Sequence, residues 1–213
     1  MTNSLQEILS RSAQMVAELD EAWSSHPEVT TQRGLVVLAY CAIVRQHVLS
    51  QHRLLANGFD VTAMTLVRPA FESLVRAIWS LDGAQDAWLT RFLQAPAADS
   101  DPRNETITGP PVESMLATIR ETHPRWVSEA LVALKDATWK PMHSYVHGGV
   151  RPVLQIIAGC PDQQQIAVAR NANGFLMFAS NVRQIVCGAT PGLLGAIQDR
   201  FAGCLPPVAS PEP

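Results

Sequence analysis

The stretch that decides the fold is V-T-A-M-T-L-V-R-P-A-F-E-S-L-V-R-A-I-W-S-L, residues 61–81. At about 100° per residue, its apolar side chains fall on one arc of a helix instead of alternating as they would in a strand. These apolar side chains are Met64, Val67, Phe71, Leu74, Val75 and Ile78. Asp60 stands where a helix cap is expected, and Pro69 predicts either a kink or a helix that begins nearer Arg68.

Helical patterns recur on both sides of this stretch, and alternating β-branched runs are nearly absent. Further helices are expected over residues 3–24, 29–56, 84–94, 112–121, 125–139, 163–186 and 193–202. One more short helix is expected between Pro141 and the Gly148-Gly149 pair. We therefore predict an all-α helical bundle of about seven to nine helices.

A loop rich in proline and aspartate interrupts the helical pattern at residues 95–111. Loops of about this length are often functional lids or lack a fixed structure. Residues 206–213, P-P-V-A-S-P-E-P, cannot continue a helix and are expected to be disordered. The prediction is a single helical domain over residues 1–205, followed by a disordered proline-rich tail.

Composition narrows the function classes and the cellular location. The chain has 213 residues and a formal net charge of −3, which argues against a broadly basic nucleic-acid-binding surface but leaves room for a local basic pocket. No run approaches the roughly 18 uncharged apolar residues of a membrane span, and the first residues do not form a signal peptide. The four cysteines are scattered without a C-x-x-C pair. We expect a reduced, cytoplasmic protein without membrane contact.

The first polar row consists of Arg68, Glu72 and Arg76, which are four residues apart and share one side of a helix. Arg68 falls inside the apolar arc, so its charge needs a partner, and Glu72 is the nearest carboxylate. One interpretation is a structural ion pair that ties two helices together. The other is a phosphate or carboxylate clamp formed by the two arginines and oriented by Glu72, because a planar guanidinium binds an oxyanion through two hydrogen bonds.

The second polar row is H-S-Y-V-H-G-G, residues 143–149. Its two histidines are four residues apart, and histidine can act as a base, an acid or a metal ligand near neutral pH. Both could bind a metal, with Glu72 from another helix as a third ligand, although Ser144 stands where the H-E-x-x-H motif requires glutamate. Alternatively, the histidines bond to backbone carbonyls while Tyr145 packs inward.

The two rows together, R-P-x-F-E…R…W and S-Y-x-H-G-G, resemble a group of uncharacterised bacterial all-helical proteins. In this chain they extend from Arg68 to Trp79 and from Ser144 to Gly149, and the resemblance covers residues 30–190. Such proteins look like distant relatives of the HEPN superfamily, which includes ribonuclease toxins and phage-defence effectors. Its active members carry an arginine, four to six further residues and then a histidine, on helices that meet across a dimer.

This chain departs from the arginine–histidine pattern of that superfamily. His147 is preceded seven positions earlier by Lys140 and not by an arginine. Arg45 and His52 satisfy the spacing within the long helix over residues 29–56, where the default interpretation is a surface pair. The resemblance therefore implies a HEPN-like protein of a toxin or phage-defence system. Because the arginine of the motif is missing before His147, the resemblance does not by itself imply ribonuclease activity.

Three kinds of function follow. In a metal-independent ribonuclease, a histidine would take the proton of a ribose 2′-hydroxyl while arginines hold the phosphate. The candidate catalytic residues are His147, His143, Arg68 and Glu72. The candidate substrate-binding residues are Arg76, Tyr145, Ser144 and Lys140.

The second kind is a non-catalytic binding or regulatory protein, such as an antitoxin or a partner subunit. The third is a metal-dependent hydrolase that uses His143, His147 and Glu72. No cofactor is predicted. Because the helices are long and apolar, we expect a homodimer, with RNA or a small anionic ligand as a further partner.

Overall fold

The computed structural model describes residues 4–24, 28–94, 109–188 and 193–207. Over these ranges the chain forms ten α-helices and a short 3-10 turn, with no strand. The helices are α1 (Leu5–Ser24), α2 (Gln32–Ala56), α3 (Asp60–Thr65), α4 (Val67–Asp82), α5 (Asp86–Leu93), α6 (Val112–Thr122), α7 (Arg125–Val146), α8 (Val150–Ala158), α9 (Asp162–Val186) and α10 (Leu193–Arg200), and the turn is Ala202–Cys204. The prediction of an all-α bundle is confirmed.

Three long helices form the centre of the bundle. α2 packs against both α4 and α9, and α4 also packs against α9. α1 covers α9, while α6 and α7 cover α4. The six apolar residues of the predicted arc are all buried. Phe71 lies at the middle of the core, with its ring centroid 6.1 Å from that of Phe175 in α9.

The deciding stretch forms two helices, because the chain breaks at Leu66 between α3 and α4. Pro69 lies in the first turn of α4, where its missing N–H would have no partner within the helix in any case. The sequence-based alternative of a helix that begins nearer Arg68 is therefore the one observed. The predicted cap was wrong, since the residue before α3 is Phe59 and Asp60 lies inside the helix.

Two further differences lie around the second polar row. α7 continues through position 141 as far as Val146, so the predicted short histidine-bearing helix is the end of a longer one. α8 was not predicted. It begins at Val150, after Gly148 and Gly149. The φ of Gly148, 63°, is the left-handed conformation that ends a helix and redirects the chain.

The long predicted loop and the predicted tail fall mostly outside the described residues. Of the loop, the structure describes residues 109–111, which lead into α6. Of the tail, it describes residues 206–207. The division into one domain and a disordered tail therefore stays a prediction.

One helix of the described chain, α2, is long and apolar enough to cross a membrane by length and composition alone. Such a helix is weak evidence for a membrane protein, because the core helices of folded domains meet the same criterion. Here α2 lies between α4 and α9 and supplies buried side chains to both. We therefore treat it as the central helix of the bundle.

His52 is part of the contact between α2 and α9. Burial lowers its pKa to about 4, although the nearby Ala169 backbone and Asn173 side chain oppose that shift. Its Nε2 atom is shielded from solvent and has no hydrogen-bond partner. The imidazole is therefore neutral in the folded protein at neutral pH.

We expect stability to fall as the pH is lowered from about 7 towards about 4. In the unfolded chain His52 binds a proton near pH 6.5, whereas the folded chain binds it only near pH 4, so protonation favours unfolding between these values. Urea unfolding at about pH 7.5 and about pH 5.5 measures the effect, and His52→Gln should reduce the difference between the two free energies. The exposed His143→Gln is the control. An unchanged difference in His52→Gln would contradict this account.

Candidate functional site

The first polar row contains the predicted ion pair. The Nε of Arg68 donates to Oε1 of Glu72 at 2.8 Å, one turn further along α4. The two side chains are about a quarter to a third exposed, at 26% and 30%. The pair is therefore partly desolvated, which strengthens it beyond an ordinary surface pair.

Arg68 also links α4 to α7. Its Cζ lies 4.5 Å from the ring centroid of Trp139, so the guanidinium stacks over the indole. The same indole meets the Phe71 ring edge-on at 6.1 Å. Arg68 is thus held by a carboxylate of α4 and by an aromatic ring of α7. These contacts agree with the interpretation of this row as a structural ion pair that ties two helices together.

Arg76 contacts a different part of the bundle. Burial raises the pKa of the Tyr40 hydroxyl in α2, and Arg76 opposes that rise through its charge and a hydrogen bond. The two arginines of α4 therefore contact different helices, Arg68 towards α7 and Arg76 towards α2. This geometry does not form the predicted two-arginine clamp.

Tyr145 packs inward, as one of the two interpretations predicted, with an exposed fraction of 6%. Its hydroxyl donates to Oε1 of Gln155 in α8 at 2.5 Å and accepts from Nε2 of Gln164 in α9 at 3.1 Å. Gln164 also reaches Sδ of Met64 in α3. The hydroxyl joins three helices, and its contacts are those of a structural residue, not of a substrate-orienting one.

Ser144 and the two glycines build the corner between α7 and α8. The Oγ of Ser144 accepts from the backbone N–H of Arg151 at 3.1 Å, and its carbonyl accepts from Gly149 at 2.7 Å. A Cβ at Gly149 would lie 2.6 Å from that Oγ, so a larger residue would collide. The tight turn and the buried tyrosine give a structural role to every specified residue of the S-Y-x-H-G-G motif except its histidine.

His143 and His147 are exposed at the end of α7, with ring centroids 4.5 Å apart. The N–H of His147 closes the helix on the carbonyl of His143 at 3.2 Å. The described residues include no group of three His, Cys, Asp or Glu side chains placed to hold a metal ion. Glu72, which binds Arg68, therefore does not complete the predicted three-ligand site.

The two polar rows lie on neighbouring helices, and the side chains that are held in each row have different partners. α4 packs against α7 through Trp139, while Tyr145 reaches α8 and α9. The side chain of Lys140 is outside the described part of the structure, so its predicted role stays a prediction.

The second arginine–histidine candidate does not form a pair. Arg45 binds Asp20 of α1, with Nε to Oδ1 at 2.7 Å and Nη2 to Oδ2 at 2.5 Å. His52, seven residues further along α2, faces Ala169 and Asn173 of α9. The expectation of a surface pair between the two was therefore wrong, because each residue ties α2 to a different neighbouring helix.

Two open hollows lie on the described surface. One is lined by Asp20, Trp23, Ser24, Ala42, Arg45, Gln46 and Arg183. Its two arginines are engaged, since Arg45 binds Asp20 and Arg183 stacks over Trp23 at 4.8 Å. The other lies beside α8 and is almost entirely apolar.

The sequence reasoning missed the outer face of α8, which exposes five large apolar side chains within nine residues. Its exposed side chains are Val150 (69%), Val153 (54%), Leu154 (56%), Ile156 (77%) and Ile157 (75%), and Val146 (40%) of α7 adjoins them. The signal was present in the run V-R-P-V-L-Q-I-I-A, residues 150–158, between two glycine-containing turns. Such an apolar run usually indicates a buried segment. Only the structure shows that most of its side chains lie on the surface.

We expect Tyr145→Phe to lower the free energy of unfolding by about 1–3 kcal/mol, because it leaves buried glutamine atoms without their partner. Urea unfolding measures this loss. His143→Ala, at an exposed position of the same helix, should stay within about 0.5 kcal/mol of the wild type. A Tyr145→Phe protein as stable as the wild type would show that the hydroxyl contacts are not structural.

We also expect Arg68→Ala to lower the free energy of unfolding by about 1–3 kcal/mol, because it removes the stacking on Trp139 and leaves Glu72 unpaired. Arg68→Lys should recover only part of the loss, since an ammonium keeps the charge but lacks the planar group. The matched control is Arg125→Ala, because Arg125 pairs with Glu129 at the same spacing but is 89% exposed. Full recovery by lysine, or an equal loss in the control, would contradict the role of the indole.

A comparison with protein-family models places most of this fold in one family. The model described as "Family of unknown function (DUF6988)" matches residues 41–207, which include both polar rows and α8. No curated protein and no solved structure matches the chain. The expectation of an uncharacterised family is thereby confirmed. Since the match covers well over half of the chain, the protein belongs to this family of unknown function.

Proposed function

We propose that this protein is a non-catalytic binding or regulatory helical protein of the antitoxin or partner-subunit kind. One observation carries the proposal: three of the candidate site side chains, Arg68, Glu72 and Tyr145, are held by contacts within the molecule. Arg68 is bound by Glu72 and Trp139, and Tyr145 is bound by two glutamines. A residue whose polar atoms serve the fold is not available to a substrate without breaking those contacts.

The two arginines that would bind the phosphate in a metal-independent ribonuclease already have other partners. Such an enzyme needs a base and a phosphate-binding cation that face the same reacting atoms. Here His143 and His147 lie at the end of α7, while Arg68 and Arg76 are directed to Trp139 and Tyr40. The hollow that includes Gly148, the residue after His147, is lined by apolar side chains, which do not bind a phosphate.

Binding is supported by the outer face of α8. Contiguous apolar patches of this size on a folded protein mark contact surfaces. By the motif resemblance, we place the protein among inactive HEPN-like members of toxin or phage-defence systems, acting in the cytoplasm. On this proposal, the polar rows maintain the fold and α8 does the binding.

A second candidate, a metal-independent ribonuclease, is favoured by one observation. The imidazoles of His143 and His147 are exposed and lie side by side, 4.5 Å apart. Such a pair can share the cleavage of RNA by transesterification. One ring takes the 2′-hydroxyl proton as that oxygen bonds to the phosphorus, and the other protonates the 5′-oxygen that leaves.

An RNA cleavage assay separates these two functions. Single-stranded RNA is incubated with the wild type in EDTA and, separately, in magnesium. The matched control is the double variant His143→Ala/His147→Ala, purified in parallel. We expect no cleavage above that control. Cleavage in EDTA that the double variant loses, with an unchanged thermal midpoint, would overturn the binding proposal and establish the ribonuclease.

The binding surface can be tested inside cells with a photo-reactive residue in place of Val153. We expect a discrete cross-linked adduct from this position. The control places the same residue at Ala17, which is exposed on α1, and should give none. An adduct absent from Val153, or equally strong at both positions, would contradict the assignment of α8 as the binding surface.

A further inference from the structure

α8 turns its apolar side chains to solvent and a polar side chain to the bundle, the reverse of an ordinary surface helix. Pro152 and Gln155 are its buried residues, and Gln155 accepts the Tyr145 hydrogen bond. At about 100° per residue, the five exposed apolar residues of α8 span an arc of about 160° on the opposite side. A surface helix normally turns its apolar arc to the core, so an outward arc indicates that another molecule covers it.

The size of this face fits a protein interface. The exposed fractions of its six apolar side chains correspond to an area on the order of 600 Å², at the upper limit for the largest patch of an ordinary monomer. A stable protein–protein interface takes about 800 Å² from each partner. The α8 face with its surroundings supplies most of that area as apolar surface.

We propose that a second copy of this chain covers the face, with α8 packed against α8 in a two-fold symmetric dimer. This inference rests on the proposed function, because it names the occupant of the same binding surface. In a two-fold interface the same patch must be complementary to itself. The patch contains a shallow hollow lined by Gly148, Pro152, Val153, Ile156 and Ile157. Val150 and Leu154 are exposed on the same helix, so they can enter the hollow of the other copy.

Charge favours a second copy over a lipid surface. The one charged residue of α8 is Arg151, which lies beyond the edge of the apolar arc, so two copies meet without like charges at the centre. Homodimer interfaces are apolar and depleted of charge at their core. Helices that lie on anionic membranes carry several lysines or arginines on the polar face, whereas α8 carries one and the whole chain has a net charge of −3.

The decisive experiment measures the mass of the purified full-length protein by sedimentation equilibrium over about 1–100 µM, which detects dissociation constants in the micromolar range and below. We expect about twice the chain mass of 23.2 kDa for the wild type. Ile156→Glu should weaken the dimer by about 100-fold or more, because each dimer would bury two unpaired carboxylates.

The matched control is Ile185→Glu, which alters an isoleucine of similar exposure on α9, 64% against 77%. It should remain dimeric. Both residues are exposed, so circular dichroism spectra like that of the wild type should verify that each variant folds. A wild type that stays monomeric over the whole range, or an Ile156→Glu protein that dimerises as the control does, would overturn the inference.

The mass of the Val153 cross-linked adduct separates this inference from the proposed function. An adduct of two chains supports the dimer. An adduct of any other mass overturns the dimer but leaves α8 as a binding surface. Co-sedimentation of the wild type with phosphatidylserine vesicles, lost in Ile156→Glu, would overturn the dimer in favour of a membrane surface.

Discussion

The shared hydroxyl of Tyr145 determines how the second half of the chain is arranged. A buried hydroxyl is costly unless it is hydrogen-bonded, and here one glutamine of α8 accepts from it while one of α9 donates to it. The bond to Gln155 turns the polar side of α8 towards the bundle. The remaining positions of that short helix are mostly apolar, so they face outward. The exposed face of α8 is therefore a consequence of satisfying a polar group inside the protein.

Most residues of both sequence motifs have a structural role in the fold. In the first, Pro69 fits the first turn of α4, Phe71 fills the core, and Arg68 with Glu72 fastens α4 to α7. In the second, the serine and the two glycines form a tight corner, and the tyrosine joins three helices. The two exposed histidines at the end of α7 have no such structural role. The ribonuclease test is therefore directed at them.

Sequence periodicity predicted the features that depend on one helix and missed those that depend on its neighbours. The buried arc from Met64 to Ile78 and the Arg68–Glu72 pair follow from helical spacing, and both are present. The contact of Arg76 with Tyr40 and the burial of His52 depend on how α2 lies against other helices, which spacing cannot report. The exposed face of α8 was missed because an apolar run suggests burial. Its orientation depends on the hydrogen bond between Gln155 and Tyr145, which the sequence pattern does not reveal.

Different residues of α8 serve the fold and form its outer face. This division is the strongest argument that the outer face has a function. The fold requires Pro152 and Gln155, which face inward, and nothing in the described bundle requires valine, leucine or isoleucine on the other side. Polar residues there would keep the Tyr145 bond and remove an aggregation hazard. A helix that keeps an apolar outer face despite that hazard is explained by a molecule that covers it, and a face that offers both a hollow and exposed side chains that can enter it fits a second copy of itself.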